Sequence, residues 1–205
     1  MTAHKFQLEF AKNKFEFIRA LINTEFALFQ PVIFIKSGVI MPKAIIIMGV
    51  SGCGKSSVGH AVAKMMGLPF YDGDDFHPQE NVEKMAAGSP LNDANRQPWL
   101  ENLHQLILTH FQDGRSLVIA CSSLKNSYRQ ILRGEIDNVR FVYLRGDFNL
   151  IYTRMRQRKG HYMKPEMLRS QFAALEEPKN ALVLDVTKSI DILAEEIVFN
   201  ENSDK

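Results

Sequence analysis

Most of this chain is predicted to adopt an α/β fold, a five-stranded parallel sheet flanked by helices on both faces. Three observations predict it. From Met41 onward, short β-rich apolar runs alternate with longer segments of helical periodicity, the pattern of βαβ units. The runs are apolar throughout rather than alternating, as suits strands covered on both faces. The first run also leads through a glycine-rich loop straight into a helix-period segment.

In chain order, Ala44–Met48 reads as the first strand, Lys55–Met66 as a helix stopped by Gly67, and residues 69–71 as a short second strand. Further strands are expected over 116–121, 140–144 and 182–186. Helices are expected over 79–87, 98–111, 125–133, 149–158, 165–175 and 191–199. Residues 1–40 differ from the rest. They hold seven of the fourteen Phe and a single glycine, Gly38, and Phe6, Phe10, Phe17, Leu21 and Phe29 recur at the spacing of an amphipathic helix.

A length of 205 residues is enough for one domain with a substantial core. The net charge of +2 is too small to mark a nucleic-acid or membrane surface, and residues 1–40 account for it with five basic against three acidic residues. Cys53 and Cys121 have no metal-ligand neighbours at a useful spacing and read as free thiols of a reducing, cytoplasmic compartment. Gln30, Pro31, Lys36 and Lys43 break the most apolar region well short of a membrane span. Glu9 and Glu16 argue against a secretory signal.

The sequence Gly49-Val50-Ser51-Gly52-Cys53-Gly54-Lys55-Ser56 satisfies GxxxxGK[ST] in full, between a predicted strand and a predicted helix. Its glycines allow the backbone N–H groups to nest around phosphate oxygens, and the following helix adds its positive end. With Ser57, these residues are the expected nucleotide site, Lys55 reaching the β and γ phosphates and Ser56 giving its hydroxyl to Mg²⁺. The fold is thereby a P-loop NTPase fold. A GTPase is excluded as far as motifs go, because neither NKxD nor DxxG occurs. The third strand ends Ala120-Cys121-Ser122, so no Asp stands in the usual Walker B place.

A carboxylate source follows the second strand instead, in Tyr71-Asp72-Gly73-Asp74-Asp75-Phe76-His77-Pro78. Ligands of open parallel sheets sit at the carboxyl ends of strands, so this cluster should face the glycine loop. Asp74 is the expected acceptor-facing carboxylate and Asp72 the water-mediated metal contact; the plainer alternative is a turn in which Asp72 or Asp75 caps the next helix.

Several blocks together resemble the gluconate kinases of the thermoresistant gluconokinase type, relatives of shikimate kinase. They are MGVSGCGKSS, DGDDFHPQENVEKMAAGSPLNDANRQPWL, ACSSLKNSYRQILR, FVYLRGDF and RMRQRKGHYMKPEMLRSQFAALEEP, and the resemblance runs from Met41 to Phe199. It implies ATP-dependent phosphorylation of D-gluconate at the 6-hydroxyl, and it suggests a homodimer. For the acceptor, His77, Arg96, Lys125 and Arg129 lie after strands two and three, and either Arg129 or Lys125 is expected to pair the substrate carboxylate, Arg being the better geometric match. His77 is not given a proton-transfer role.

Arg154, Arg156, Arg158 and Lys159 precede Gly160-His161 and read as a mobile lid. Arg154 and Arg158 share a helix face; Arg158 is expected on the transferring phosphoryl group and Arg154 nearer the base, with the 185–188 loop flanking the adenine. A solvated basic helix end is the alternative. The expected organisation is an extension over 1–40 outside the functional domain, such as an upstream start codon would add, a kinase domain over 41–200 and a tail over 201–205. A kinase for another hydroxy acid such as shikimate and a non-catalytic nucleotide-binding regulator remain the rival readings; neither partner class includes nucleic acid or membrane.

Overall fold

The computed structural model describes residues 41–157 and 165–203. Strands β1 (Ala44–Met48), β2 (Phe70–Asp72), β3 (Leu117–Ala120), β4 (Val139–Arg145) and β5 (Leu182–Asp185) form one sheet in the order β2-β3-β1-β4-β5. Every neighbouring pair is parallel. The helices are α1 (Lys55–Met66), α2 (Gln79–Ala86), α3 (Asp93–Gln112), α4 (Asn126–Arg133), α5 (Phe148–Gln157), α6 (Pro165–Ala174) and α7 (Ile190–Ser203), and a 3₁₀ turn, Gly73–Phe76, continues β2.

The sheet centre explains why β1 is apolar at every position. Ile45 and Ile47 pack with Val58 and Val62 of α1 and Ile197 of α7, whereas Ala44, Ile46 and Met48 pack with Trp99, Leu103 and Ile107 of α3. All five β1 residues are fully buried, and each large side chain contributes about 1.5–3 kcal/mol by leaving water. Since β1 lies between β3 and β4, the chain departs from it toward opposite edges, and a cleft opens beyond the carboxyl ends of the central strands. The glycine loop, the acidic turn and the β3–α4 loop all emerge there.

Two boundaries differ from the sequence expectation. Helix α3 starts five residues before Pro98, because Asn92 and Asn95 form a reciprocal capping box: the Asn95 N–H donates to Asn92 Oδ1 at 2.8 Å and the Asn92 N–H to Asn95 Oδ1 at 3.4 Å. Pro98 therefore sits in the second turn, removing one N–H near the helix start rather than opening it. Helix α7 runs to Ser203, so residues 201–203, expected as tail, are helical. Glu201 is anchored there by Lys43, whose Nζ donates to its carbonyl at 2.8 Å and its Oε2 at 3.0 Å. The amphipathic helix expected in residues 1–40 lies outside the described residues. No helix of the described residues is long and apolar enough to cross a membrane.

Candidate active site

The glycine loop links β1 to α1, and Gly54 at its end takes φ 104°, leaving the first turn of α1 without a side-chain cap. Uncapped N–H groups at a helix start are donors for an anion. A Cβ on Gly52, itself at φ 82°, would come within 2.5 Å of Met155 Cγ, so α5 can close over the loop only where the loop has no side chain. Lys55 arches back across the loop, its Nζ donating to the Val50 carbonyl at 3.0 Å. Cys53 is buried in the loop, and burial raises its thiol pKa, so it acts as an apolar filler.

Ser56 and Asp72 meet across the cleft: Ser56 Oγ donates to Asp72 Oδ2 at 2.7 Å. The other carboxylate oxygen of Asp72 accepts the Asp74 N–H at 3.2 Å, capping the 3₁₀ turn. The capping role and the cleft-facing role thus belong to one side chain. A hydroxyl beside a carboxylate is an oxygen donor set that suits Mg²⁺, which takes one or two protein ligands and completes its shell with phosphates and water. Among the described residues no cluster of three or more His, Cys, Asp and Glu could hold a metal on its own.

Asp74 is open to solvent on one side, yet protein atoms crowd it enough to raise its carboxyl above the ordinary range. The Lys55 ammonium pulls the other way, and Asp72 and Asp75 add to the rise. The turn carrying it is held from behind. Trp99 Nε1 donates to the Gly73 carbonyl at 2.7 Å, and Gly73 is required because a Cβ would lie 2.7 Å from the Ala120 carbonyl oxygen. His77 stacks on Trp99, ring centroids 4.2 Å apart and planes 16° from parallel. Burial, helped by the Arg96 charge, pushes His77 down to about 4, so it is neutral near pH 7.

A cavity of about 650 Å³ opens beside the glycine loop, walled by residues 90–94, Arg96, Ser122, Lys125, Tyr128 and α6 residues including Gln171. Lys125 is tied to Asp93, its Nζ lying 2.8 and 2.7 Å from the two carboxylate oxygens, and Tyr128 Oη donates to Asp93 Oδ1 at 2.5 Å. These two bonds hold the Asp93 carboxyl below its ordinary range. The Arg96 guanidinium lies 5.9 Å from the Tyr128 ring centroid, and the Leu91 carbonyl takes one of its five N–H groups. A second cavity, about 470 Å³, is walled by Gly52, Cys53, Gly54, Ser57, Arg154, Val186, Lys188 and neighbouring residues.

The structure therefore gathers residues 49–57 with Asp72 and Asp74, puts Arg96 and Lys125 on the larger cavity, and sets Arg154 and the loop after β5 on the second cavity, which the glycine loop itself helps to wall. Asp74 and His77 do not wall the larger cavity; they stand on the turn that Trp99 braces. Arg129 does not wall the larger cavity. Only 7% exposed, it donates from one guanidinium nitrogen to the Ser123 and Leu124 carbonyls at 2.9 and 3.1 Å, and so supports the β3–α4 loop rather than presenting a charge to the cavity. Arg158 and the Gly160-His161 pivot lie outside the described residues. Trp99, Asp93, Tyr128 and Gln171 were not foreseen. The lone Trp offered a signal, since a buried indole N–H must find an acceptor; a Gln on a helix offered none.

A shikimate kinase family model matches residues 51–198. A mouse (Mus musculus) protein named probable gluconokinase is 45% identical over 169 residues, covering 73% of this chain and 92% of its own. The thermoresistant gluconokinase of Escherichia coli is 43% identical over 150 residues, covering 71% and 86%. Among solved structures, a gluconokinase from Sinorhizobium meliloti superposes with a TM-score of 0.66 at 37% identity, over 78% of this chain and 98% of that one.

Proposed function

From the premise that the chain belongs to the gluconokinase family of P-loop kinases, we propose that it transfers the γ-phosphoryl group of ATP to the 6-hydroxyl of D-gluconate. The observation that carries this reading is the meeting of Ser56 with Asp72 over a glycine loop, two residues before an Asp whose carboxyl is raised above its ordinary range.

The residues divide the work as follows. The free backbone N–H groups of the glycine loop and Lys55 hold the β and γ phosphates, and Ser56 with Asp72 would hold Mg²⁺, which would offset the phosphate charge. Asp74 accepts the proton of the attacking hydroxyl as its oxygen bonds to the γ phosphorus and the bond to the β–γ bridging oxygen breaks, releasing ADP. Arg96, with Lys125 fixed by Asp93, supplies the positive wall against which the gluconate carboxylate docks, and the chain's hydroxyls meet Asn92, Tyr128 and Ser170. Arg154 faces the nucleotide cavity, and Arg158 is the residue assigned to the charge on the transferring group.

ADP release with ATP and Mg²⁺ across gluconate, shikimate and other hydroxy acids tests this directly. Turnover confined to gluconate is expected. Preference for shikimate would keep the kinase and overturn the acceptor, and ATP binding without any turnover would favour a regulator. The same reading assigns catalysis to residues 41–203, so a chain started at Met41 should match the full-length rate.

A further inference from the structure

Gln171 on α6 walls the larger cavity with Ser170 and Ala174, and its Oε1 accepts the backbone N–H of Ser51 at 2.6 Å. Ser51 belongs to the glycine loop, whose N–H groups are the phosphate donors. One side chain thus joins the wall of the acceptor cavity to the loop that holds the donor, across 120 residues of sequence. It reaches the loop from the acceptor side. In a transfer reaction that is the side on which the terminal phosphoryl group must lie, because attacking and leaving oxygens are in line.

On the kinase reading given above, we infer that Gln171 is a positioning residue for phosphoryl transfer: held between cavity and loop, its carboxamide sets the terminal phosphate of the nucleotide against the acceptor hydroxyl. A carboxamide is suited to the place. Its oxygen accepts from the loop, and it adds no negative charge beside a phosphate. A carboxylate of the same size would keep the bond to Ser51 and repel the terminal phosphate.

Gln171→Glu therefore separates positioning from simple support of the loop, and Gln171→Ala removes both. In the full-length protein with Mg²⁺, calorimetric titration would compare ADP with a non-hydrolysable β,γ-imido analogue of ATP. For Gln171→Glu the expected loss is about tenfold greater for the triphosphate analogue than for ADP, the size of one unfavourable charge contact in a partly screened site. Equal losses for the two nucleotides, or none, would overturn the inference. This arm needs no acceptor, so it decides the role of Gln171 even if gluconate proves not to be the substrate, whereas absence of gluconate turnover in the unmodified chain would overturn only the function proposed above. With gluconate, Gln171→Ala should lower kcat roughly tenfold with KM for gluconate changed less than about threefold, the pattern of an interaction made in the transition state. It should also raise the ratio of ADP to phosphogluconate formed, as a misplaced phosphoryl group is lost to water. A fall in thermal midpoint with that ratio still at one would assign Gln171 a supporting role alone.

Discussion

Asp74 is the residue on which turnover should depend most. Asp74→Asn is expected to lower kcat by about 10²–10⁴ while leaving nucleotide affinity in place, measured by steady-state rates beside ADP titration. Asp74 works ionised, so its raised pKa sets the acid limb of kcat/KM, and part of that rise comes from the neighbouring Asp75 charge. Asp75→Asn removes a like charge and should move the acid limb to lower pH. His77 gives a stability effect of defined sign. An unfolded His takes its proton near pH 6.5 but the folded one only near 4, so stability present above the first value is lost as pH falls through the second. Denaturation midpoints measured across that window should fall, and His77→Gln should flatten the fall. Roles set by spacing, such as those of Lys55 and Ser56, were legible because the loop motif dictates where each group points. Arg129 was not, since a place after a strand says nothing about which carbonyls a buried guanidinium will find.

Helix α3 shows how a single element serves several parts of the site. Its first turn carries Asp93 and Arg96 on the cavity, its next carries Trp99 behind the acidic turn, and Asn92 caps it. Asn92→Ala should cost about 1 kcal/mol, read as a fall of about 2–4 °C in thermal midpoint. Trp99→Phe keeps the ring and deletes the N–H, leaving the Gly73 carbonyl unsatisfied; about 1–3 kcal/mol of stability and a lower kcat are expected together, because that carbonyl belongs to the turn bearing Asp74. The strands and α1 were readable within a residue or two because burial on both faces forces unbroken apolar runs. The start of α3 was hidden by a proline that usually marks a helix beginning, while the two asparagines that do begin it look like any loop.

At the scale of the molecule, the two cavities flank one glycine loop at one end of the sheet, and the far end is closed by Lys43 and Glu201, joining the residue before β1 to the last helix. Glu201 is 4% exposed, so Lys43→Met, by removing two charged hydrogen bonds and stranding a carboxylate, should cost about 2–3 kcal/mol in denaturant titration while kcat stays unchanged. The sheet order also bears on how the chain is made. Strand β1 is the centre of the sheet and one of the earliest elements of the domain, but both partners, β3 and β4, are translated long after it. At ribosomal speeds of about 5–20 residues per second, the span from Met48 to Val139 leaves a strand that is apolar on both faces waiting roughly 5–20 s for its second neighbour. During that interval the AIIIM segment, buried on both faces in the finished sheet, stands exposed and unpaired in the nascent chain, the kind of strand most prone to aggregation.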